Sequence, residues 1–391
     1  MRTRKAASLL LSLLLVLGLL SGAAGALADG AAETGTAPEA GAETAPGVSY
    51  YITSLEDLLA LADACAVDSY SQNVTVCLQT DLDLAGSDFA SIPTFGGVFE
   101  GGGHTISGLS LTANRSHTGF FRYIQPGAVV KELNLSGEVK PGGSAQYAGG
   151  LAGNNAGSIR DCSFTGTVEA LTSTGGLVGA NEESGSIENC RVSGSVTGQH
   201  YTGGIAGKAF GGTIQNCVSL AEVSGAGNVG GIAGSARNIK NCASGGSVTG
   251  TGEAVGGVVG SIGGALDHCY STGTVSGARY VGGVAGVRGS EAVGYLYALG
   301  EKVTGAQDVG RVLGGTSSGG TPEGPFYARA DLLFGAAGSE RTIASGTGVS
   351  DTGIHGESIE VPKEGAQKVS AVVNLGSSGW SYGDDGLFTY G

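Results

Sequence analysis

The sequence predicts an all-β protein, a right-handed parallel β-helix whose three-sided coils contain about 27 residues each. Three observations favour this fold. Gly-Gly pairs recur in steps of 26, 28, 27, 26 and 26 residues from Gly149 to Gly283. An aliphatic residue follows every pair, and two further aliphatic positions recur in each copy. Short apolar strands of this kind cannot bury a face alone, whereas stacked copies form a continuous core.

Each recurring aliphatic position is expected to form one ladder along the solenoid axis, with neighbouring coils ~4.8 Å apart. The first ladder is Leu151, Leu177, Ile205, Ile232, Val258 and Val284. The second is Ile159, Ile187, Ile214, Ile239 and Leu266. The third is Val168, Val196, Val223, Val248, Val275 and Val303. A narrow interior, and corners that need positive φ, would account for the 76 glycines.

The N-terminus has the features of an export signal over residues 1–28, with basic residues, an apolar run and a small-residue cleavage site. Residues 29–48 have the composition of a flexible linker. Cleavage would leave 17 Lys and Arg against 34 Asp and Glu, a net charge of −17. This acidity argues against a nucleic-acid partner, and no later segment is long enough to insert in a membrane.

The exported body divides into three predicted parts. Residues 49–117 hold an N-terminal cap and the first irregular coils, and the cap is a helix over Leu55–Ala64 with Ser54 and Asp57 as a capping box. Residues 118–306 form the regular repeats. Residues 307–391 form degenerate coils and a C-terminal cap, because open solenoid ends expose unpaired strand groups.

Five of the seven cysteines occupy one position of the repeat, where other copies have leucine. They are Cys162, Cys190, Cys217, Cys242 and Cys269. A position that accepts leucine is apolar, so stacked free thiols are favoured over disulfides or a metal site. Cys65 and Cys77 lie outside this set, and a cross-link from cap to first coil remains open for them.

Asparagines precede three of these cysteines, namely Asn189, Asn216 and Asn241, with Asp161 and Asp267 assigned to the same position. Asparagine tolerates the left-handed conformation, and its amide can bond to a stacked neighbour. A structural turn ladder is therefore favoured over a binding role.

Three tyrosines, Tyr147, Tyr201 and Tyr280, stand just before Gly-Gly pairs and would form an aromatic edge. Aromatic rings stack on sugars, so this edge is the candidate binding surface; ordinary corner packing is the alternative.

Acidic residues suggest little chemistry. Asp81 and Asp83 would face the same way on a strand and His104 follows nearby, but calcium needs six to eight oxygens and a glycosidase needs two carboxylates in a cleft. We expect no catalytic site, no metal and no cofactor, and backbone capping or solvation for both aspartates.

The repeats resemble the GLUG motif over about residues 118–305, in segments such as Gly203–Gly207 and Ile214–Cys217. Upstream, Thr80–Leu84 and Phe95–Ile106 resemble the opening coils of the β-helical region of bacterial surface proteins, including IgA-specific metallopeptidases. None of the histidines belongs to the His-Glu-x-x-His zinc motif of those peptidases, so their activity is not implied.

The resemblance implies a secreted or cell-surface, non-catalytic scaffold for adhesion or for contact with glycans and host surfaces. Surface glycans or other cell-surface proteins are the expected partners. A carbohydrate-active β-helix enzyme, of the polysaccharide lyase or glycosidase kind, is the alternative function.

Overall fold

A computed structural model describes residues 48–289, 291, 293–317, 324–343, 354–359, 380–382 and 388–390. The chain divides into two compact units, Met1–Pro46 and Gly47–Gly391, and every described residue lies in the second. The predicted export signal, and all of the predicted linker except Val48, lie outside the described residues.

The described chain forms a parallel β-solenoid of about 11 turns with one short helix near its N-terminus, which confirms the predicted fold class. A regular coil contains four strand segments and not the three that were predicted. The chain turns at the Gly-Gly pair, and this turn divides the first predicted strand into two segments. We number the resulting faces 1 to 4, face 1 being the strand that ends at the Gly-Gly pair. The right-handed winding stays a prediction from the general handedness of parallel crossovers.

Faces 1 and 2 meet at the Gly-Gly corner. Face 1 comprises Gln146–Gly149, Thr172–Gly175, His200–Gly203, Gly227–Gly230, Glu253–Gly256 and the second halves of Val275–Gly282 and Lys302–Gly310. Face 2 comprises Ile92–Phe95, Phe121–Ile124, Ala152–Asn155, Val178–Asn181, the first halves of Ala206–Gln215 and Ala233–Lys240, Val259–Ile262, Ala285–Arg288 and Leu313–Thr316.

Faces 3 and 4 complete each coil. Face 3 comprises Val48–Ile52, Val74–Leu78, Val98–Glu100, Val129–Lys131, Ser158–Arg160, Ser186–Glu188, the second halves of Ala206–Gln215 and Ala233–Lys240, and Leu266–Asp267. Face 4 comprises Leu82–Asp83, Thr105–Leu111, Asn134–Val139, Ser163–Glu169, Arg191–Thr197, Val218–Ser219, Glu222–Gly225, Ala243–Ser244, Val248–Gly250, Cys269–Ser271, the first halves of Val275–Gly282 and Lys302–Gly310, Leu296–Ala298, Phe326–Arg329, Leu333–Gly335 and Glu357–Ile359. Beyond them, Trp380–Tyr382 pairs antiparallel with Phe388–Tyr390.

The cap helix, α1, spans Leu55–Ala64 as predicted. The Ser54 hydroxyl accepts a hydrogen bond from the Asp57 backbone N–H at 3.3 Å, and the Asp57 carboxylate accepts one from the Thr53 N–H at 2.9 Å. Leu58 and Leu61 are buried against the first coil. The helix therefore joins the same core that the three aliphatic ladders form, all of whose members are buried and in register.

The glycines of the repeat are explained by close backbone approach, so the expectation that positive φ accounts for them was wrong for the Gly-Gly motif. A Cβ on Gly203 would lie 2.5 Å from the Ala233 Cα, and one on Gly204 would lie 2.1 Å from the Gly231 oxygen. A third glycine, Gly207, approaches the Ser173 carbonyl carbon in the same way, at 2.4 Å. The regular coils give most of their left-handed positions to other residues instead.

The regular repeat ends where Arg311 takes the place of the second glycine of the pair. Its guanidinium is fully buried and donates to the His355 oxygen at 3.1 Å, the Gly356 oxygen at 2.6 Å and the Ser358 hydroxyl at 2.7 Å. Burial lowers the pKa of Arg311 to about 10. This side chain fixes segment 354–359 onto the last regular coil.

Candidate functional site

The three predicted tyrosines share one column of face 1 and one unusual backbone conformation. Tyr147, Tyr201 and Tyr280 have φ values of 60°, 56° and 51°. The same column contains, at similar φ, His117, Ser173, Asn228, Ala254 and Asp308. A bulky residue at positive φ is an outlier, because its Cβ crowds the following carbonyl. Strain of this kind is a pointer to function, and here it falls on tyrosines.

Two of these tyrosines belong to a group of rings, bridged by one lysine, that we call the aromatic patch. Its members, from the N-terminal coil onward, are Tyr123, His117, Tyr147, Tyr201 and Phe210, with the ammonium of Lys208 between the last three. The patch extends over four successive coils, a length of about 14 Å along the axis. Phe210 is the most open member, with half of its surface exposed, and the other members are half-buried.

The rings contact one another closely at both ends of the patch. His117 stacks on Tyr147 with ring centroids 4.7 Å apart and planes inclined by 4°, and lies 4.9 Å from Tyr123. Tyr201 meets Phe210 edge to face at 6.1 Å. Burial, reinforced by Arg122, lowers the pKa of His117, so the stacked imidazole is neutral near pH 7.

A gap divides the patch in its third coil, where the column of face 1 has Ser173 and the adjoining column of face 2 has Ala180. The Lys208 side chain fills this gap. Its ammonium lies 4.2 Å from the Tyr201 centroid, 5.6 Å from that of Phe210 and 5.7 Å from that of Tyr147. In the third coil, the Ser173 hydroxyl is buried and has no hydrogen-bond partner.

Polar groups border the rings. Asn154 lies in the face 2 column between Tyr123 and Ala180, donates to the Glu182 carboxylate at 2.7 Å and keeps an unpartnered buried oxygen. The Arg122 guanidinium lies 5.5 Å from the Tyr123 centroid, and its Nε is buried without a partner. The patch therefore combines apolar ring faces with polar and charged side chains at its border, the combination that small-molecule sites use.

Tyr280 is separate from the patch. Asn228 and Ala254 occupy its column between Tyr201 and Tyr280. The Arg279 guanidinium covers its ring at 4.2 Å and is itself held by Asp308 at 2.8 Å. The ring also packs closely beside Gly315. Tyr280 therefore fits the alternative of corner packing, whereas Tyr147 and Tyr201 present rings to a shared surface.

The cysteine ladder, Cys162, Cys190, Cys217, Cys242 and Cys269, lies inside the core, with each member at most 2% exposed. Each thiol donates to the carbonyl two residues before it, as Cys190 does to Glu188 at 3.1 Å. Burial raises the pKa values of four of these thiols well above the usual range of a cysteine. They are Cys162, Cys190, Cys217 and Cys242. Thiols in this state are poor nucleophiles and poor metal ligands.

The corner that precedes the cysteine ladder is a left-handed column with amide bonds along the axis. Asn189, Asn216 and Asn241 have φ values of 52°, 55° and 52°. Asn189 donates to the Asp161 carboxylate and Asn241 to the Asn216 amide oxygen, each at 3.1 Å. Asp267 was wrongly assigned to this column, because its partner in register is Lys240. His268 takes the position, with φ 48°.

The two remaining cysteines differ in burial. Cys65 is buried at the end of α1, and burial raises its pKa to about 11. Cys77 is half-buried beside Glu100, with 3.8 Å between the thiol sulfur and the carboxylate. All seven cysteines lie within the described residues and all are free thiols. The cap and the first coil are thus held together by packing and by the hydrogen bond that the Tyr50 hydroxyl donates to the Asp57 carbonyl oxygen at 2.8 Å.

The suggestive acidic residues bond to the backbone. Asp81 accepts from the Thr105 N–H at 2.9 Å and lies 3.1 Å from the His104 Nδ1, and both the backbone bond and the histidine lower its pKa. Asp83 accepts from the Ala85 N–H at 3.0 Å. In the part of the chain that the structure describes, no three His, Cys, Asp or Glu side chains are grouped to hold a metal ion. No helix among those residues is long and apolar enough to cross a membrane.

Comparison with known proteins identifies the repeat. Residues 144–169 and 170–197 match the GLUG motif, which confirms the resemblance drawn from the sequence. Each match begins just before a strand of face 1 and includes one complete coil. The chain is therefore a β-solenoid that carries GLUG motifs.

Two individual proteins are similar to it. Halomucin of Haloquadratum walsbyi is 30% identical over an alignment of 150 residues that covers 35% of this chain, and the chain spans only 2% of that protein. A Bacteroides ovatus protein, provisionally assigned as an immunoglobulin A1 protease, aligns over 88% of this chain and 92% of its own, with 19% identity and a TM-score of 0.47.

Proposed function

We propose that this chain is a secreted or cell-surface scaffold that binds glycan through the aromatic patch without catalysing a reaction. The predicted export signal and the GLUG motifs support the location. The observation that carries the binding proposal is the pair of tyrosines held at positive φ beside other rings, since folding alone would favour asparagine or glycine there.

Ring faces suit sugars because the face of an aromatic ring carries partial negative charge and attracts the polarised C–H groups of a pyranose. The hydroxyls of the sugar would then meet the border of the patch, where the exposed Glu182 carboxylate can accept hydrogen bonds and the half-buried Arg122 side chain can donate them. A rigid solenoid presents these groups at fixed spacing, so little conformational entropy is lost on binding.

A glycan-binding assay tests the proposal with the folded protein on an array of neutral and acidic oligosaccharides. We expect Tyr201→Ala and Tyr147→Ala to weaken binding about tenfold, the equivalent of about 1.4 kcal/mol. The matched control is Tyr51→Ala, since Tyr51 is 58% exposed on the first strand of face 3, away from the patch. Equal affinities for all four proteins would refute the proposed site.

The same samples test for catalysis when the glycans are analysed for new reducing ends and unsaturated products. Binding without turnover is expected. Turnover that is lost on Asp81→Asn, Asp83→Asn or His104→Ala would instead support the carbohydrate-active enzyme.

A further inference from the structure

We infer that the aromatic patch selects a sugar bearing a carboxylate, which pairs with the Lys208 ammonium while the sugar ring stacks on Tyr201. This inference rests on the proposed glycan binding and names its substrate class. The argument begins with the position of Lys208, which fills the gap that Ser173 and Ala180 leave between the tyrosines.

Lys208 covers the ring faces that a sugar would use. Its ammonium lies 4.2 Å from the Tyr201 centroid and within 6 Å of two more rings, so a sugar on Tyr201 must displace it or bind beside it. A neutral sugar would remove a cation from three rings and offer it no charge in return. A carboxylated sugar replaces those contacts with an ion pair. Only an anionic ligand therefore offsets the cation–π contacts that Lys208 loses when it is displaced.

Lys208 is also available for such a pair. Within the described residues its ammonium has no carboxylate partner, whereas Lys131 and Lys302 are each 2.7 Å from a glutamate oxygen. Arg122 places a second cation at the other end of the patch, where a further acidic sugar of the same chain would reach it.

The charge of the whole protein makes the inference sharper. With a net charge of −14 for the whole chain, and −17 once residues 1–28 are removed, the surface as a whole repels an anionic polysaccharide, so non-specific adsorption is suppressed. Binding of an acidic glycan would therefore depend on the local cations of the patch. Substitution of Lys208 alone should then weaken that binding measurably.

The test compares acidic and neutral forms of the same sugars by calorimetry. Polygalacturonate oligomers and their methyl esters cover uronates, and sialyllactose and its methyl ester cover sialic acids; binding of either acidic member alone identifies the source of the carboxylate. The variants are Lys208→Met, which keeps the apolar stem, Lys208→Arg, which keeps the charge, and Tyr201→Ala. Lys240→Met is the control, because Lys240 is exposed at the end of a face 3 strand. Circular dichroism verifies that each variant is folded.

We expect an acidic form to bind at least tenfold more tightly than its neutral counterpart, and more weakly as salt is raised. Lys208→Met should remove that preference, while Lys208→Arg and Lys240→Met keep it. Equal binding of acidic and neutral forms, sensitive to Tyr201→Ala but not to Lys208→Met, would overturn the inference and leave the proposed glycan site intact. An equal loss in Lys240→Met would also overturn it. Absence of binding to every glycan would overturn both.

Discussion

Replacement of Gly207 by alanine tests why the repeat needs its third glycine. The added Cβ would lie 2.4 Å from the Ser173 carbonyl carbon, 2.6 Å from the Thr174 nitrogen and 2.7 Å from the Gly179 oxygen. Carbon atoms in contact prefer separations of about 3.5 to 4.0 Å, so the two coils must move apart by about 1 Å. All three obstructing atoms are backbone, and none can rotate away.

The cost of that movement can be estimated. Overpacking of a tight core costs about 1 to 3 kcal/mol, and each inter-coil hydrogen bond that is lost adds about 1 kcal/mol. The alanine also lowers the conformational entropy of the unfolded chain, which stabilises the folded state by about 0.4 to 1 kcal/mol. We expect a net loss of about 3 kcal/mol in the free energy of unfolding.

Urea denaturation followed by far-UV circular dichroism measures this loss, and hydrogen exchange locates it, because coils contact only their neighbours and can open locally. The control is Gly142→Ala: a Cβ there meets nothing within 4 Å, so this variant should be as stable as the native chain or slightly more stable. If Gly207→Ala matched Gly142→Ala in midpoint and in exchange around residues 173–179, close backbone approach would not be the reason for the glycine.

Four further predictions concern the cysteine ladder, the asparagine column beside it, two tyrosines outside the patch, and Tyr201 in the patch. The thiols of the cysteine ladder should resist alkylation in the native protein and react after denaturation without a reductant, as mass spectrometry of the peptides will show. Asn189→Ala should cost about 1 to 2 kcal/mol in urea denaturation, because a left-handed alanine is strained and the bond to Asp161 is lost, and Asn189→Gly should cost less. Burial raises the pKa of Tyr50 and Tyr297 to about 12, so both should ionise late in an ultraviolet titration, and their contribution to stability should be present below pH 10 and lost as the pH rises to about 12. Tyr201→Asn should leave stability unchanged or raise it by up to about 1 kcal/mol in thermal melts, since asparagine suits its φ of 56°. It should still weaken glycan binding about tenfold, as Tyr201→Ala does.

Periodicity was sufficient to predict the solenoid, its three apolar ladders and the helix over Leu55–Ala64, because each depends on residue type at a fixed interval. It did not predict the division of the first strand at Gly149–Gly150, since that turn is made by glycines of ordinary φ. The burial of Arg311 was equally unpredictable, because only the structure shows the carbonyl groups of segment 354–359 around it.

The candidate site was predictable only in part for a related reason. The spacing of Tyr147, Tyr201 and Tyr280 placed them in one column, which the structure shows. Spacing carried no information about which side chains reach across coils, and so it missed Lys208 and Phe210, which lie on the neighbouring face. Lys208 could have been found by extending the repeat register to face 2. It lies in the same column of that face as Tyr123 and Asn154.

The two left-handed columns of the solenoid show where its sequence departs from what the backbone favours. Beside the cysteine ladder, the demand for positive φ is met mainly by asparagine and aspartate, which fit that conformation and bond to one another along the axis. On face 1 the same demand is met by Asn228 in one coil but by tyrosine in three others. Since Asn228 shows that the ordinary solution fits this column, the tyrosines impose a cost that folding does not require. Two of them meet Lys208, and this is the reason to place the binding function of the scaffold there.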